Sequence, residues 1–176
     1  IKGLHNAYNA MAATYAAMAA GVSEEDILRT LYAFEGVEHR LEFVCEIEGV
    51  EWINDSKATN VDSVWYALES MRRPTVWIAG GTDKGNDYEP LMDFVGKKVK
   101  ALVCMGLNNS KLISEFSGVV PVYNTSSLDE AVEVCRQVAQ SGDAVLLSPA
   151  CASFDLFKNY EQRGELFKKW VKENIL

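Results

Sequence analysis

Residues 52–60 read Trp-Ile-Asn-Asp-Ser-Lys-Ala-Thr-Asn, an apolar run that breaks into a dense set of polar groups. Lys57 brings an ammonium, Asp55 a carboxylate, and Ser56 and Thr59 hydroxyls, more than a chain reversal needs. Two further stretches are loaded in the same way. Gly80-Gly-Thr-Asp-Lys-Gly85 sets Lys84 on a glycine-rich turn, and Ser148-Pro-Ala-Cys-Ala-Ser-Phe-Asp-Leu-Phe-Lys-Asn-Tyr-Glu-Gln-Arg-Gly164 carries Ser153 and Tyr160. Two cations, several hydroxyls and adjacent helix starts suit a small anion with more than one carboxylate or phosphate group. Each charge-assisted hydrogen bond contributes about 1.5–3 kcal/mol. Asp55 does not fit an anion pocket, but a carboxylate there suits ribose hydroxyls.

Each group also has a plainer reading. Asn54 and Asp55 can simply end a hairpin, and Lys84 can be a solvated turn lysine. The Gly80–Gly85 stretch lacks the G-K-[ST] ending of a phosphate loop. Asn6 and Asn9 read as a cap and a surface helix residue. Cys151 sits in a tight turn like a nucleophile, yet no histidine is near it in sequence. His5 and His39 are too few for a zinc site.

These loops need elements to hold them. Residues 41–55 alternate apolar and polar about Glu48-Gly49, which predicts a β-hairpin. Short apolar runs then alternate with amphipathic segments: strands at 75–80, 101–106, 121–123 and 144–148, helices near 61–71, 88–97, 109–116, 127–140 and 161–174. Thr59 or Asn60 should cap the first of these helices, and Ser127-Leu-Asp-Glu130 is a capping box. Near-continuous apolar strands separated by helices mean a parallel sheet covered on both faces. The expected fold is therefore α/β, a doubly wound, mostly parallel, Rossmann-like sheet with an N-terminal β-hairpin. In such a sheet ligands bind beyond the carboxyl ends of the strands, where all three loaded loops fall. Ahead of it, the Ala-rich stretch 5–20 predicts a helix stopped by Gly21. Ser23 caps a second helix, closed by Gly36. The expected boundary places this helical remnant of a preceding domain at 1–37 and the α/β domain at 38–176.

The 176 residues are 48% hydrophobic and 24% charged, with a net charge of -8. That is a globular composition, and the acidic balance without a basic stripe argues against nucleic acid. No apolar run is long enough to span a membrane. The four cysteines form no C-x-x-C pair and sit in apolar runs, as reduced buried thiols in a cytoplasmic protein would. The sequence starts Ile-Lys-Gly, without an initiator methionine, and is expected to be a piece of a longer chain.

His5-Asn-Ala-Tyr-Asn9, His39-Arg40, the 52–60 segment, Ile78-Ala-Gly-Gly-Thr-Asp-Lys-Gly85 and the 146–164 segment, in this order and spacing, resemble the C-terminal part of the Mur ligases, in particular the branch that adds D-glutamate. The resemblance runs over essentially the whole chain. It implies an ATP-dependent amide ligase of peptidoglycan synthesis, in which the carboxylate of UDP-N-acetylmuramoyl-L-alanine is phosphorylated with the help of Mg2+ and the resulting acyl phosphate is attacked by the amine of D-glutamate. Residues 1–37 would then be the last helices of the central ATP-binding domain, and 38–176 the amino-acid-binding domain. Asn6 and Asn9 would face the adenine, Arg40 the nucleotide phosphates and Asp55 the ribose. Lys57, Thr59, Lys84, Ser153 and the backbone about Phe154 and Tyr160 would hold the carboxylates of D-glutamate. Lys57 and Lys84 would be the catalytic cations. Phe154 and Tyr160 stand where the best-known relatives have Leu and Phe. The family's G-K-[ST] loop, magnesium ligands and UDP-binding domain are absent from this sequence, so the piece alone should not turn over. A monomer is expected. Two other readings stand beside this one: a sibling Mur or folylpolyglutamate-type ligase domain, and a freestanding anion-binding module.

Overall fold

A computed structural model describes residues 4–174, with side chains from residue 6 to residue 173; the His5 side chain lies outside the described residues. The chain divides into two compact units, Ile1–Glu38 and His39–Leu176.

The first unit is a pair of helices, α1 (Leu4–Ala19) and α2 (Glu24–Ala33). α1 ends as its sequence requires: Gly21 takes φ +81, its N–H bonds Met18 O, and Val22 N reaches back to Ala17 O. That paired closure needs a left-handed residue, which glycine adopts without strain. Ser23 caps α2 by accepting from Asp26 N, and Glu24, Glu25 and Asp26 lie at the positive end of its dipole. α2 stops at Ala33, short of Gly36, because Phe34 is already extended. Gly36, at φ +118, turns the connecting segment and does not close the helix.

In the second unit, β1 (Glu42–Ile47) and β2 (Val50–Asn54) form the expected antiparallel hairpin. Its two-residue turn, Glu48-Gly49, has φ of 52 and 79, as a turn matched to the strand twist requires. The remaining elements are α3 (Val61–Ser70), β3 (Thr75–Ala79), α4 (Met92–Lys98), β4 (Val99–Met105), α5 (Ser110–Phe116), β5 (Val122–Thr125), α6 (Leu128–Val138), β6 (Ala144–Leu147) and α7 (Tyr160–Asn174). The sheet order is β1-β2-β6-β3-β4-β5, with every pair after the hairpin parallel. Glu89–Leu91 forms a short 3-10 turn with Pro90 at its middle position, and α4 begins later than its apolar pattern suggests.

Alternation along the strands sorts the core into two layers. Ile53, Trp77, Leu102 and Leu146 point to the face covered by Val64, Leu68, Val95, Leu112 and Phe116 of α3, α4 and α5. Trp52, Val76, Ile78, Val103, Val145 and Leu147 point to the other, under Leu128, Val132 and Cys135 of α6 and Phe167 and Val171 of α7. Burying a side chain of this size stabilises by about 1.5–3 kcal/mol, so each helix is held chiefly by its inner face. Cys104, Cys135 and Cys151 are buried thiols and Cys45 is half-buried. Among the described residues no helix is long and apolar enough to cross a membrane.

β6 is last in sequence yet lies between β2 and β3. Successive strands therefore run outward from β3 to β5 and then return. The loops after β2, β3 and β6 become neighbours at the carboxyl rim, at the point where the winding reverses.

Candidate functional site

The loop after β2 begins with two side chains turned to structural use. Asn54 Nδ2 donates to Glu42 Oε2 at 2.9 Å and lies 2.9 Å from His39 Nδ1, while its Oδ1 accepts from Ser56 N. Asp55 N donates to Leu147 O at 2.8 Å, fixing this loop to the end of β6. The Asp55 carboxylate accepts from Ser148 Oγ at 2.7 Å and from Leu41 N at 3.1 Å. Burial pushes its pKa up to about 7, against the lowering effect of those two bonds and of Arg40. Asn60, rather than Thr59, caps α3 by accepting from Ser63 N.

The other two loops join this one through backbone pairs. Ala150 N donates to Ala58 O and Gly80 N to Pro149 O, both at 2.9 Å. Thr82 and Ala152 exchange N–H···O bonds of 2.8 and 3.2 Å. This last pair needs a bare Cα beside it: a Cβ on Gly81, at φ +129, would stand 2.2 Å from Ala152 O. Ser56 Oγ donates to Tyr160 O at 2.8 Å, bringing the start of α7 to the same rim. The three loaded segments are thus one hydrogen-bonded surface.

On that surface the Lys57 ammonium lies 5.4 Å from the centroid of the Tyr160 ring, a cation–π contact. Thr59 is half-buried. Ser153 is buried, and Phe154 beside it is 72% exposed. Lys84 is exposed at the tip of its turn. Arg40 is exposed between His39 and Leu41, whose φ values are 63 and 43. Asn6 and Asn9 lie on α1 of the first unit, half-buried and exposed respectively.

Two residues that organise the rim had no assigned role in the sequence reading. Arg163, in α7, is fully buried; its Nε donates to Ser56 Oγ at 3.0 Å and its Nη2 to Ser56 O at 2.8 Å, and both Nη atoms lie 3.4 Å from Cys151 O. Burial pulls its pKa down to about 10. The guanidinium fork joins the first loop to the third, and its bonds go to neutral oxygens. His39 is buried against Gly164, where a Cβ would stand 2.2 Å from its Nδ1. Its carbonyl accepts from Lys57 N at 3.1 Å, and its ring stands edge-on to Tyr160 at 6.0 Å. The signal for both was the run Gln162-Arg163-Gly164, where an arginine and a glycine occupy one helix turn beside the loaded loop. Cys151 is no nucleophile by its surroundings: burial raises its thiol pKa, and its Sγ lies 3.3 Å from Tyr88 Oη.

Known proteins resemble this chain over nearly its whole length. The family model described as "Mur ligase, glutamate ligase domain" matches residues 39–151. The chain is 53% identical over 175 residues to a UDP-N-acetylmuramoylalanine--D-glutamate ligase of Bacteroides fragilis. It is 51% identical over 173 residues to the protein of that name from Christiangramia forsetii. In both cases 98% of this chain aligns with 39% of the relative, so the chain spans about two fifths of the length of the relatives it matches. Among solved structures, UDP-N-acetylmuramate-alanine ligase of Thermotoga maritima superposes with a TM-score of 0.71 at 18% identity, over 98% of this chain and 39% of that one. The Mycobacterium tuberculosis folylpolyglutamate synthase complexed with ADP and AMPPCP gives 0.71 at 14% identity, over 95% and 41%. At such identities these structures speak to the fold alone.

Proposed function

The chain belongs to the Mur ligase family, of whose glutamate ligase domain it is a member, and from that premise we propose that it is the amino-acid-binding part of an ATP-dependent ligase that adds D-glutamate to UDP-N-acetylmuramoyl-L-alanine. The observation that carries this is the union of the three loops: Ala150 N to Ala58 O ties the third to the first, and the Thr82–Ala152 pair ties the second to the third. A dicarboxylate needs two anion-holding ends at a fixed separation, and three cross-bonded loops bearing Lys57, Thr59, Lys84 and Ser153 supply donors whose backbone positions are set before substrate arrives.

In this reading Lys57 and Lys84 neutralise the carboxylates. Thr59, Ser153 and the N–H groups about Phe154 and Tyr160 complete their hydrogen bonding. Holding both ends of glutamate directs its amine at the acyl carbon, which is the positioning that amide formation requires. The protein's net charge of -8 repels a dianion at long range, so attraction rests on these local cations. Arg163 adds a buried positive charge behind the same loops. On the nucleotide side, Asp55 fits ribose hydroxyls by acceptor capacity, since each of its oxygens holds one hydrogen bond within the chain and keeps a second lone pair. Arg40 belongs to the same side of the proposal; Asn6 and Asn9, on α1 of the first unit, are proposed by themselves to face the adenine. ATP with Mg2+ supplies the activating phosphoryl group; no residue of this chain is assigned to the metal.

Assaying the full-length enzyme with D-glutamate, L-glutamate, L-lysine and diaminopimelate tests the reading. Turnover restricted to D-glutamate is expected. Preference for either diamino acid, or for L-glutamate on a folate-type acceptor, would overturn it in favour of a sibling ligase.

A further inference from the structure

The loop that carries Lys84 is fastened by groups that the substrate reading leaves unused. Asp83 lies at its centre. Its Oδ1 accepts from Gly85 N at 2.6 Å and from Asn86 N at 3.1 Å, so the carboxylate closes the backbone on the far side of Lys84. Its Oδ2 accepts from Tyr88 Oη at 2.8 Å. Tyr88 is buried, stacks edge-on against Phe116 at 5.7 Å, and reaches Cys151 Sγ in the third loop. Asn86 Nδ2 donates to Ala150 O at 3.1 Å.

Lys111, on α5, closes the ring. Its Nζ donates to Asn86 O, lies 3.8 Å from Asp83 Oδ1, and sits 5.6 Å from the centroid of the Tyr88 ring. Three contacts from one ammonium fall on two residues of the turn and on Tyr88 just beyond it. The Asp83 carboxyl is held below the usual carboxylate range. Partial burial acts against this, but the Tyr88 hydroxyl, two backbone N–H groups and the Lys111 charge outweigh it. The Lys84 side chain itself points out and is exposed, so its backbone is gripped from both sides while its ammonium is presented.

We propose that Asp83 and Lys111 are positioning residues for Lys84, holding the Gly81–Asn86 turn in the one shape that offers its ammonium to a carboxylate of the incoming amino acid. This rests on the reading of Lys84 as a substrate cation. Neither residue touches substrate; both act by keeping the loop from sampling other conformations, whose population would reduce apparent affinity in proportion. A long flexible side chain gains from such a mount, because the loop ordering is complete before binding.

The test uses the full-length enzyme, with separate KM values for the amino acid, ATP and the UDP-sugar. Asp83→Asn and Lys111→Gln should each raise the amino-acid KM about five- to twentyfold, leave the other two KM values unchanged, and lower kcat less than they raise KM. Lys111→Arg should restore most of the loss, since it keeps charge and reach. In a Lys84→Ala background neither substitution should have a further effect on that KM, because the group they position is gone. Full additivity with Lys84→Ala, or equal losses for all three substrates, would overturn the inference. Lys111 is half-exposed on its helix, so Lys111→Gln gives the answer even if Asp83→Asn folds poorly. If Lys84→Ala itself leaves the amino-acid KM unchanged, the reading of Lys84 fails; if Lys84→Ala raises it and the two neighbours do not, only the positioning role fails.

Discussion

At Asp55, burial and hydrogen bonding pull the carboxyl in opposite directions. It is proposed to face the nucleotide, yet it is 5% exposed and each of its oxygens already accepts one hydrogen bond, from Ser148 Oγ or from Leu41 N. Desolvation wins over those bonds and raises its pKa from 3.8 to about 7. The folded state therefore holds its proton more tightly than the unfolded chain, and this contribution is complete below pH 3.8 and lost as pH rises to about 7. Asp55→Asn keeps an oxygen for Leu41 N and presents its amide to Ser148 Oγ, so it should remove that loss. Denaturant unfolding should show the variant gaining on the parent across this window, by on the order of a few kcal/mol. A difference that does not change with pH would contradict the burial argument. Lys57, Lys84 and Ser153 were legible as candidates because they stand in loops richer in donors than a turn needs. Arg163 and His39 were not. A buried arginine and an exposed one are the same letter in an amphipathic helix, and what distinguishes Arg163 is the tertiary approach of Ser56 and Cys151, more than ninety residues apart in sequence.

At the scale of elements, periodicity and caps fixed most of the architecture. The switch from helical spacing to alternation after Leu41, the Glu48-Gly49 turn and the Ser127 cap all correspond to formed structure. The ends of elements were harder, since Phe34 leaves the helix before Gly36 for reasons that no local signal carries. The place of β6 between β2 and β3 was equally hidden, yet that placement brings the loops together. Where two loops meet, a glycine is a packing requirement. A Cβ on Gly81 would collide with the Ala152 carbonyl, whereas one on Gly85, at φ +84, would meet nothing within 4 Å. Gly81→Ala should cost about 2–4 kcal/mol in denaturant unfolding, against about 1 kcal/mol for Gly85→Ala, which bears the backbone strain alone. Equal losses would mean that the Thr82–Ala152 pair does not restrict the turn.

Over the whole molecule, the proposal is that two of its cations, Lys57 and Lys84, are gathered at one rim of the sheet and fixed there. Two apolar layers hold a six-stranded sheet, and the strand order turns three distant segments into neighbours. Because each donor comes from a different loop, loss of any one should weaken the same ligand. The direct measurement is steady-state kinetics of the full-length enzyme carrying Lys57→Ala, Lys84→Ala or Ser153→Ala, with KM determined for each substrate in turn. A single site predicts that all three raise the D-glutamate KM selectively, by about tenfold or more for the lysines, as loss of a charge-assisted bond implies. If any one of the three leaves the D-glutamate KM unmoved, or weakens ATP and the UDP-sugar as much, the loops do not form one amino-acid site.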